Sequence, residues 1–223
     1  MDERNKLYFI MLDKEINFSV YVPLLRLLSD EKQNRINRFC FDIDKKLTVV
    51  SDLFVRYLIC SVLYKTNEEL LFATNIYGKP YIKGERDLHY SISHTPNAIA
   101  VATSRTPVGV DIERIQVFDN RIVERFFSQK EEKYIKSSIE NQKDRFCEIW
   151  TKKESYVKWL GKGLSVPLNS FDVLDGDLPY HFRTFAIENY RISVCGENKN
   201  LASNCIGVSE KVVYEKILSL CEK

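Results

Sequence analysis

Asp111 and Glu113 stand two residues apart in the run VGVDIE, and two residues is the repeat of a β-strand. Their carboxylates then point to one side with Gly109, while Val108, Val110 and Ile112 point to the other. Like charges so close repel unless a cation or water separates them, and hard oxygen donors of this kind suit Mg²⁺, with Mn²⁺ as the alternative. The same alternation also describes an ordinary half-buried strand with one wet face. In WTKKESYVKWLGKGL, Glu154 and Lys158 are four residues apart, so on a helix they share a face, with glutamate on the favourable N-terminal side. On a solvated helix such a pair is worth about 0.3–0.5 kcal/mol. Trp150, Val157 and Leu160 flank it, which sets both charges at the edge of buried surface, where each needs a partner.

YSISHTP brings Ser91, Ser93 and His94 to the end of a strand. There a hydroxyl, a backbone N–H and an imidazole could hold a phosphate oxygen; a turn histidine is the plainer reading. Lysine sits beside glycine at Lys79 in GKP and at Lys162 in GKG, but neither fits the G-x-x-x-x-G-K-[ST] cradle of a nucleotide triphosphate. The chain has no H-E-x-x-H, no G-x-S-x-G and no His/Cys cluster with zinc spacing.

The elements that must position these residues follow from periodicity. KLYFIML reads as a first strand, and LLSDEKQNRINRFCF as a helix with Ser29 as N-cap. From Lys46 to Tyr64, apolar residues recur at three- and four-residue steps, which predicts a long core helix. NIYGKPYIKG, LHYSISHTPNAIAVATS and PVGVDIERI read as turn-bounded strands. The second long helix is NQKDRFCEIWTKKESYVKWLG, with Phe146, Ile149, Trp150, Val157 and Leu160 as its apolar stripe and Gly161 as its stop. Strands are expected at SFDVLD, YHFRTFAIE, YRISVCG and NCIGVS. NRFCFDIDKK resembles ERFFSQKEEK, each ahead of a long amphipathic helix. That echo predicts an α+β chain of two similar half-domains, 1–105 and 106–223.

Composition narrows the function. With 223 residues, 44% of them hydrophobic, the chain can bury a real core. Lys+Arg 33 against Asp+Glu 31 leaves a net charge of +2, too balanced for general nucleic-acid affinity, so any anion site is local. Six cysteines without a C-x-x-C pair read as reduced thiols of a cytoplasmic protein. The N-terminal apolar stretch is too short for a signal-peptide core or a membrane span.

Taken in order, GKPY, SISH, GVDIE, RFFSQKE and WTKKESYVKWLGKGL form a specific set. It resembles the 4′-phosphopantetheinyl transferases, in particular the surfactin-synthetase-activating type, over about Ser29 to Leu168. Such enzymes move phosphopantetheine from coenzyme A to a serine of an apo acyl or peptidyl carrier protein of peptide and polyketide synthases, and release adenosine 3′,5′-bisphosphate. The resemblance implies two α/β half-domains related by a pseudo-twofold axis, each a small, mostly antiparallel sheet packed on a long helix, in a monomer built as a pseudo-dimer. It implies Asp111, Glu113 and Glu154 as ligands of Mg²⁺, Glu154 as base, and Lys158 at the departing phosphate. Lys79, Ser93 and His94 match coenzyme A contacts, and Lys32 and Arg35, with His94, match the 3′-phosphate end. Where relatives carry an arginine near the start of the first long helix, this chain has Leu47 after Lys45 and Lys46. The carrier protein is expected near Arg114 to Arg121, with no nucleic acid or membrane as partner.

Two other classes would use the same residues. A Mg²⁺-dependent phosphohydrolase needs the same three carboxylates, and a non-catalytic coenzyme A- or carrier-binding module would keep the binding residues without needing a complete metal site.

Overall fold

In a computed structural model, residues 4–176, 178–197 and 199–221 are described, Leu164 by its backbone alone. The chain runs through β1 (Lys6–Met11), a 3₁₀ stretch (Phe18–Leu27), α1 (Asp30–Asn37), α2 (Asp42–Leu63), β2 (Phe72–Thr74), β3 (Pro80–Ile82), β4 (His89–Thr95), β5 (Ala98–Ser104) and β6 (Val108–Arg114). It continues with α3 (Asn120–Phe126), α4 (Gln129–Lys136), α5 (Gln142–Leu160), β7 (His181–Ile187), β8 (Tyr190–Gly196), β9 (Cys205–Ser209) and α6 (Glu210–Leu218).

The architecture is α+β. One sheet has the order β4-β5-β1-β9, a second β6-β8-β7, and β2-β3 is a separate hairpin. Every pairing is antiparallel except β9 on β1. The first sheet and α2 share a core that includes Ile10, Leu53, Phe54, Ile99 and Val101. Between the sheets, Ala98, Ala100 and Ala102 of β5 meet Val108, Val110 and Ile112 of β6 with Ile192 and Val194 of β8. The small alanines let the two layers approach closely. The last strand and helix cross back to the first sheet: α6 packs on α2, and buried Glu210 of α6 meets buried Lys46 of α2 at 2.9 Å.

Several expectations are corrected. α2 begins at Asp42, one turn ahead of the periodic apolar run, because its first turn carries Asp42 and Asp44, which suit the positive end of a helix. It ends where Tyr64 turns left-handed at φ 55°. SFDVLD forms no strand: a 3₁₀ turn covers Leu168–Ser170. The N–H groups of Val173 and Leu174 go to the carboxylates of Glu131 and Asp172. The second echoed segment spans the α3–α4 turn and leads into the short α4, whose N-terminus Ser128 and Glu131 close as a reciprocal capping box; α5 comes after it. NCIGVS is a strand, but in the first sheet.

Candidate active site

The site forms where β4, β6 and α5 meet. α5 lies on the face of β6 that carries Gly109, Asp111 and Glu113, so that face is not wet: Asp111 is 4% exposed. The helix can come so near because the residues it turns to the sheet are small, with Cys147, Thr151 and Ser155 buried. Its larger apolar residues Phe146, Ile149 and Trp150 instead join Val123, Phe127 and Ile135 in a separate core under α3 and α4.

Asp111 is the hub. Its Oδ1 accepts hydrogen bonds from Lys158 Nζ and Ser93 Oγ, each at 2.7 Å. Its Oδ2 is buried without a partner. Lys158 thus pairs across to β6 and not with Glu154 one turn back, as the helix spacing alone suggested; the more deeply buried carboxylate takes the ammonium. Burial, followed by the charge of Asp111, pushes the Glu113 carboxyl up to about 7, with Lys158 and Thr95 opposing. Glu154 is raised as well, first by burial and then by Asp111, with Lys158 opposing. Lys158 thus bonds one carboxylate and only partly offsets the raised proton affinity of the other two.

The remaining predicted residues surround this hub. Lys79 Nζ donates to the carbonyls of Trp159 at 2.9 Å and Val108 at 3.2 Å, and Asn75 Nδ2 donates to Gly161 O at 2.7 Å. Together they fasten the β2–β3 hairpin to the C-terminus of α5, where a cation opposes the helix dipole. Gly161 is left-handed at φ 66°, and a Cβ there would stand 2.7 Å from Lys79 Cδ. Burial holds the Lys79 ammonium down to about 8. A cavity of about 300 Å³ opens here, lined by Tyr77, Lys79, Ser91, Glu154, Lys158 and Gly161 among others. His94 alternates with buried Ser93 and reaches solvent. Desolvation of its ring, then the charge of Lys158, hold its pKa below the usual range, while Asp44 and Asp52 oppose. Lys32 is ion-paired with Asp52, so Lys32, Asp52 and His94 share one neighbourhood; Arg35 is exposed one turn further along α1. Near the expected arginine position, Lys46 is buried against Glu210, and Lys45 pairs with Asp42 at the surface.

Among the described residues, no three His, Cys, Asp or Glu side chains converge as a preformed metal cage. The donors still fit a hard divalent cation. Asp111 Oδ2 lacks a partner, and beside it Glu113 and Glu154 are raised first by burial and then by the charge of Asp111, a repulsion that a divalent cation would relieve. Mg²⁺ normally keeps waters and substrate phosphates in its shell, so it does not require a closed protein cage.

Two features escaped the sequence reading. Thr95 Oγ1 donates to Glu113 Oε2 at 3.4 Å; the alternating hydroxyls of S-x-S-x-T were its visible signal. Lys153, inside the KKES run, is fully buried. It bonds to the carbonyls of Leu168 and Phe171 at 2.7 Å each and pairs with buried Glu131 at 2.8 Å. Helical spacing was its signal: Lys153 is four residues from both Ile149 and Val157 and so lies within the apolar stripe, whereas its neighbour Lys152 pairs with Glu148 at 2.5 Å.

The sequence profile of the 4′-phosphopantetheinyl transferase superfamily matches residues 107–208, and that of the 4′-phosphopantetheinyl transferase N-terminal region matches 17–106. Over 74% of its length the chain is 38% identical to 4′-phosphopantetheinyl transferase gsp of Aneurinibacillus migulanus, covering 70% of that protein. It is 31% identical to a 4′-phosphopantetheinyl transferase of Bacillus subtilis and 30% identical to 4′-phosphopantetheinyl transferase Sfp of Bacillus subtilis (strain 168). Each of these two matches spans 96% of this chain and all of the relative. No helix among the described residues is long and apolar enough to cross a membrane.

Proposed function

The chain belongs to the 4′-phosphopantetheinyl transferase superfamily, and on that premise we propose that its reaction runs at the junction of β4, β6 and α5. The enzyme transfers 4′-phosphopantetheine from coenzyme A to a serine of an apo carrier protein, giving holo carrier protein and adenosine 3′,5′-bisphosphate. The observation that carries the assignment of the site is Asp111, with Oδ1 shared by Lys158 and Ser93 and Oδ2 buried without a partner, beside two further carboxylates.

In the reaction the serine oxygen bonds to the pantetheine-side phosphorus. The phosphoanhydride P–O bond to the adenosine bisphosphate breaks, and the serine proton passes to a base. Glu154 is assigned that base: burial and Asp111 raise its proton affinity above that of an exposed glutamate. Lys158 meets charge gathering on the departing phosphate. Asp111, Glu113 and Glu154 would hold Mg²⁺, which when bound neutralises phosphoryl oxygens. Lys79, Ser93 and His94 bind coenzyme A. Lys79 does so by fixing the hairpin wall of the cavity, since its ammonium is committed to two carbonyls. His94, Lys32 and Arg35 take the 3′-phosphate, and Lys32 exchanges its bond to Asp52 for it.

The carrier protein docks near Arg114 to Arg121. The enzyme works in the cytoplasm as a monomer of two half-domains divided near residue 105, with β9 and α6 returned to the first half.

The test follows release of adenosine 3′,5′-bisphosphate from coenzyme A and Mg²⁺ with and without an apo carrier protein. Release only with carrier is expected. Equal release without it would make the chain a phosphohydrolase.

A further inference from the structure

β6 is an edge strand of its sheet and β4 an edge strand of the other. Edge strands carry backbone groups that no neighbouring strand satisfies, and buried ones must find partners elsewhere. Here the partners are side chains of the first half. Lys79 Nζ takes Val108 O, and Ser91 Oγ accepts the Val110 N–H at 3.0 Å. Two residues on, Ser93 Oγ reaches the Asp111 carboxylate at 2.7 Å, and two further, Thr95 Oγ1 reaches Glu113 at 3.4 Å. All three hydroxyls belong to residues that are 6–7% exposed.

The two-residue step along β4 thus matches the two-residue step from Asp111 to Glu113 on β6, and one row of hydroxyls sets the register of the acidic strand. On β5, opposite the row, stand Ala102, Ala100 and Ala98, so no bulky side chain keeps the hydroxyls from the seam. From this we infer that Ser91 and Thr95 are positioning residues for phosphopantetheine transfer: Ser91 holds the backbone just ahead of Asp111, and Thr95 orients the Glu113 carboxylate. Neither has to touch coenzyme A to act. The inference rests on the assignment of Asp111 and Glu113 to the reaction.

The test compares Ser91→Ala, Thr95→Val and Thr95→Ser with the wild type, well below each variant's melting temperature. Three quantities are read: kcat, KM for coenzyme A, and Mn²⁺ binding followed by electron paramagnetic resonance without substrate. Thr95→Val keeps the shape and removes the donor; Thr95→Ser keeps the donor. We expect Ser91→Ala and Thr95→Val each to lower kcat about tenfold with KM within about twofold, and to weaken Mn²⁺ binding several-fold. Thr95→Ser should restore both to near the wild-type values. If Thr95→Val does not fold, Thr95→Ala serves as the donor-free variant. Wild-type kcat and Mn²⁺ affinity in Ser91→Ala, which removes an acceptor, or in the donor-free Thr95 variant would overturn the inference for that residue, as would equal impairment in Thr95→Val and Thr95→Ser, which would make the role one of packing. A wild type that transfers nothing to any apo carrier overturns the underlying assignment, and this inference with it.

Discussion

Gly109 and Ser155 meet backbone to backbone: a Cβ built on Gly109 would stand 1.9 Å from the Ser155 carbonyl oxygen and 2.4 Å from the Trp159 nitrogen. Both obstacles are main chain of α5, which cannot swing aside as a side chain can. The contact fixes how closely α5 lies on β6, and with it the 2.7 Å bond from Lys158 to Asp111. Gly109→Ala should cost roughly 1–3 kcal/mol as an overpacked site and should lower transfer well beyond what the lost stability explains. Urea unfolding and kcat on the same preparation check it; a variant of normal stability and turnover would show that α5 has slack the structure lacks.

Lys158 is expected to act in the transition state. Lys158→Ala should lower kcat about 10²–10³-fold, as loss of a charge-stabilising donor does, with a much smaller change in KM for coenzyme A. A rise in KM with kcat unchanged would reassign it to ground-state binding.

The Glu113 carboxyl binds its proton more tightly in the folded protein than in the unfolded chain. The stability this contributes is full below the ordinary value of 4.5 and is lost as pH rises through about 7. Glu154, raised in the same direction, adds to the slope. Cation-free wild type should therefore lose stability over that window, and Glu113→Gln should lose less. Urea midpoints across the window, with a chelator present, test this; parallel curves would refute it.

Lys153 supports the site from below. Lys153→Met leaves the buried Glu131 without its cation, so unfolding free energy should fall by roughly 3–5 kcal/mol. Adding Glu131→Gln should recover part of the loss, as urea unfolding of the double variant would show. No recovery would mean that the carbonyls of Leu168 and Phe171, and not the ion pair, dominate.

At the proposed docking segment, Phe118 stacks on Phe146 with ring centroids 4.1 Å apart, while Val117 is 76% exposed. Phe118→Ala should lower the melting temperature. Val117→Asp should leave it unchanged and raise KM for the carrier protein; an unchanged KM would move the docking surface elsewhere.

The sequence made legible what local periodicity governs. Both long helices, the SISH and GVDIE strands and the left-handed stop at Gly161 could be read from spacing and turn chemistry. Partnership over distance could not. Whether the wet-looking face of VGVDIE met solvent or a helix depended on Ser155, 46 positions away by residue number. The choice of Lys158 for Asp111 over Glu154 depended on relative burial. SFDVLD had strand composition but no neighbouring strand, so Asp172 and Glu131 took its N–H groups. β9 gave no sign that it would pair with β1, because parallel pairing leaves no turn signal.

The most direct measurement is the intact mass of an apo carrier protein after incubation with coenzyme A, Mg²⁺ and either wild-type enzyme or Asp111→Ala. One phosphopantetheine increment is expected with the wild type, lost when the carrier serine is replaced by alanine, and none with Asp111→Ala although that variant remains folded. A wild type that leaves carriers unmodified, or an Asp111→Ala variant that modifies them at the wild-type rate, would contradict that expectation.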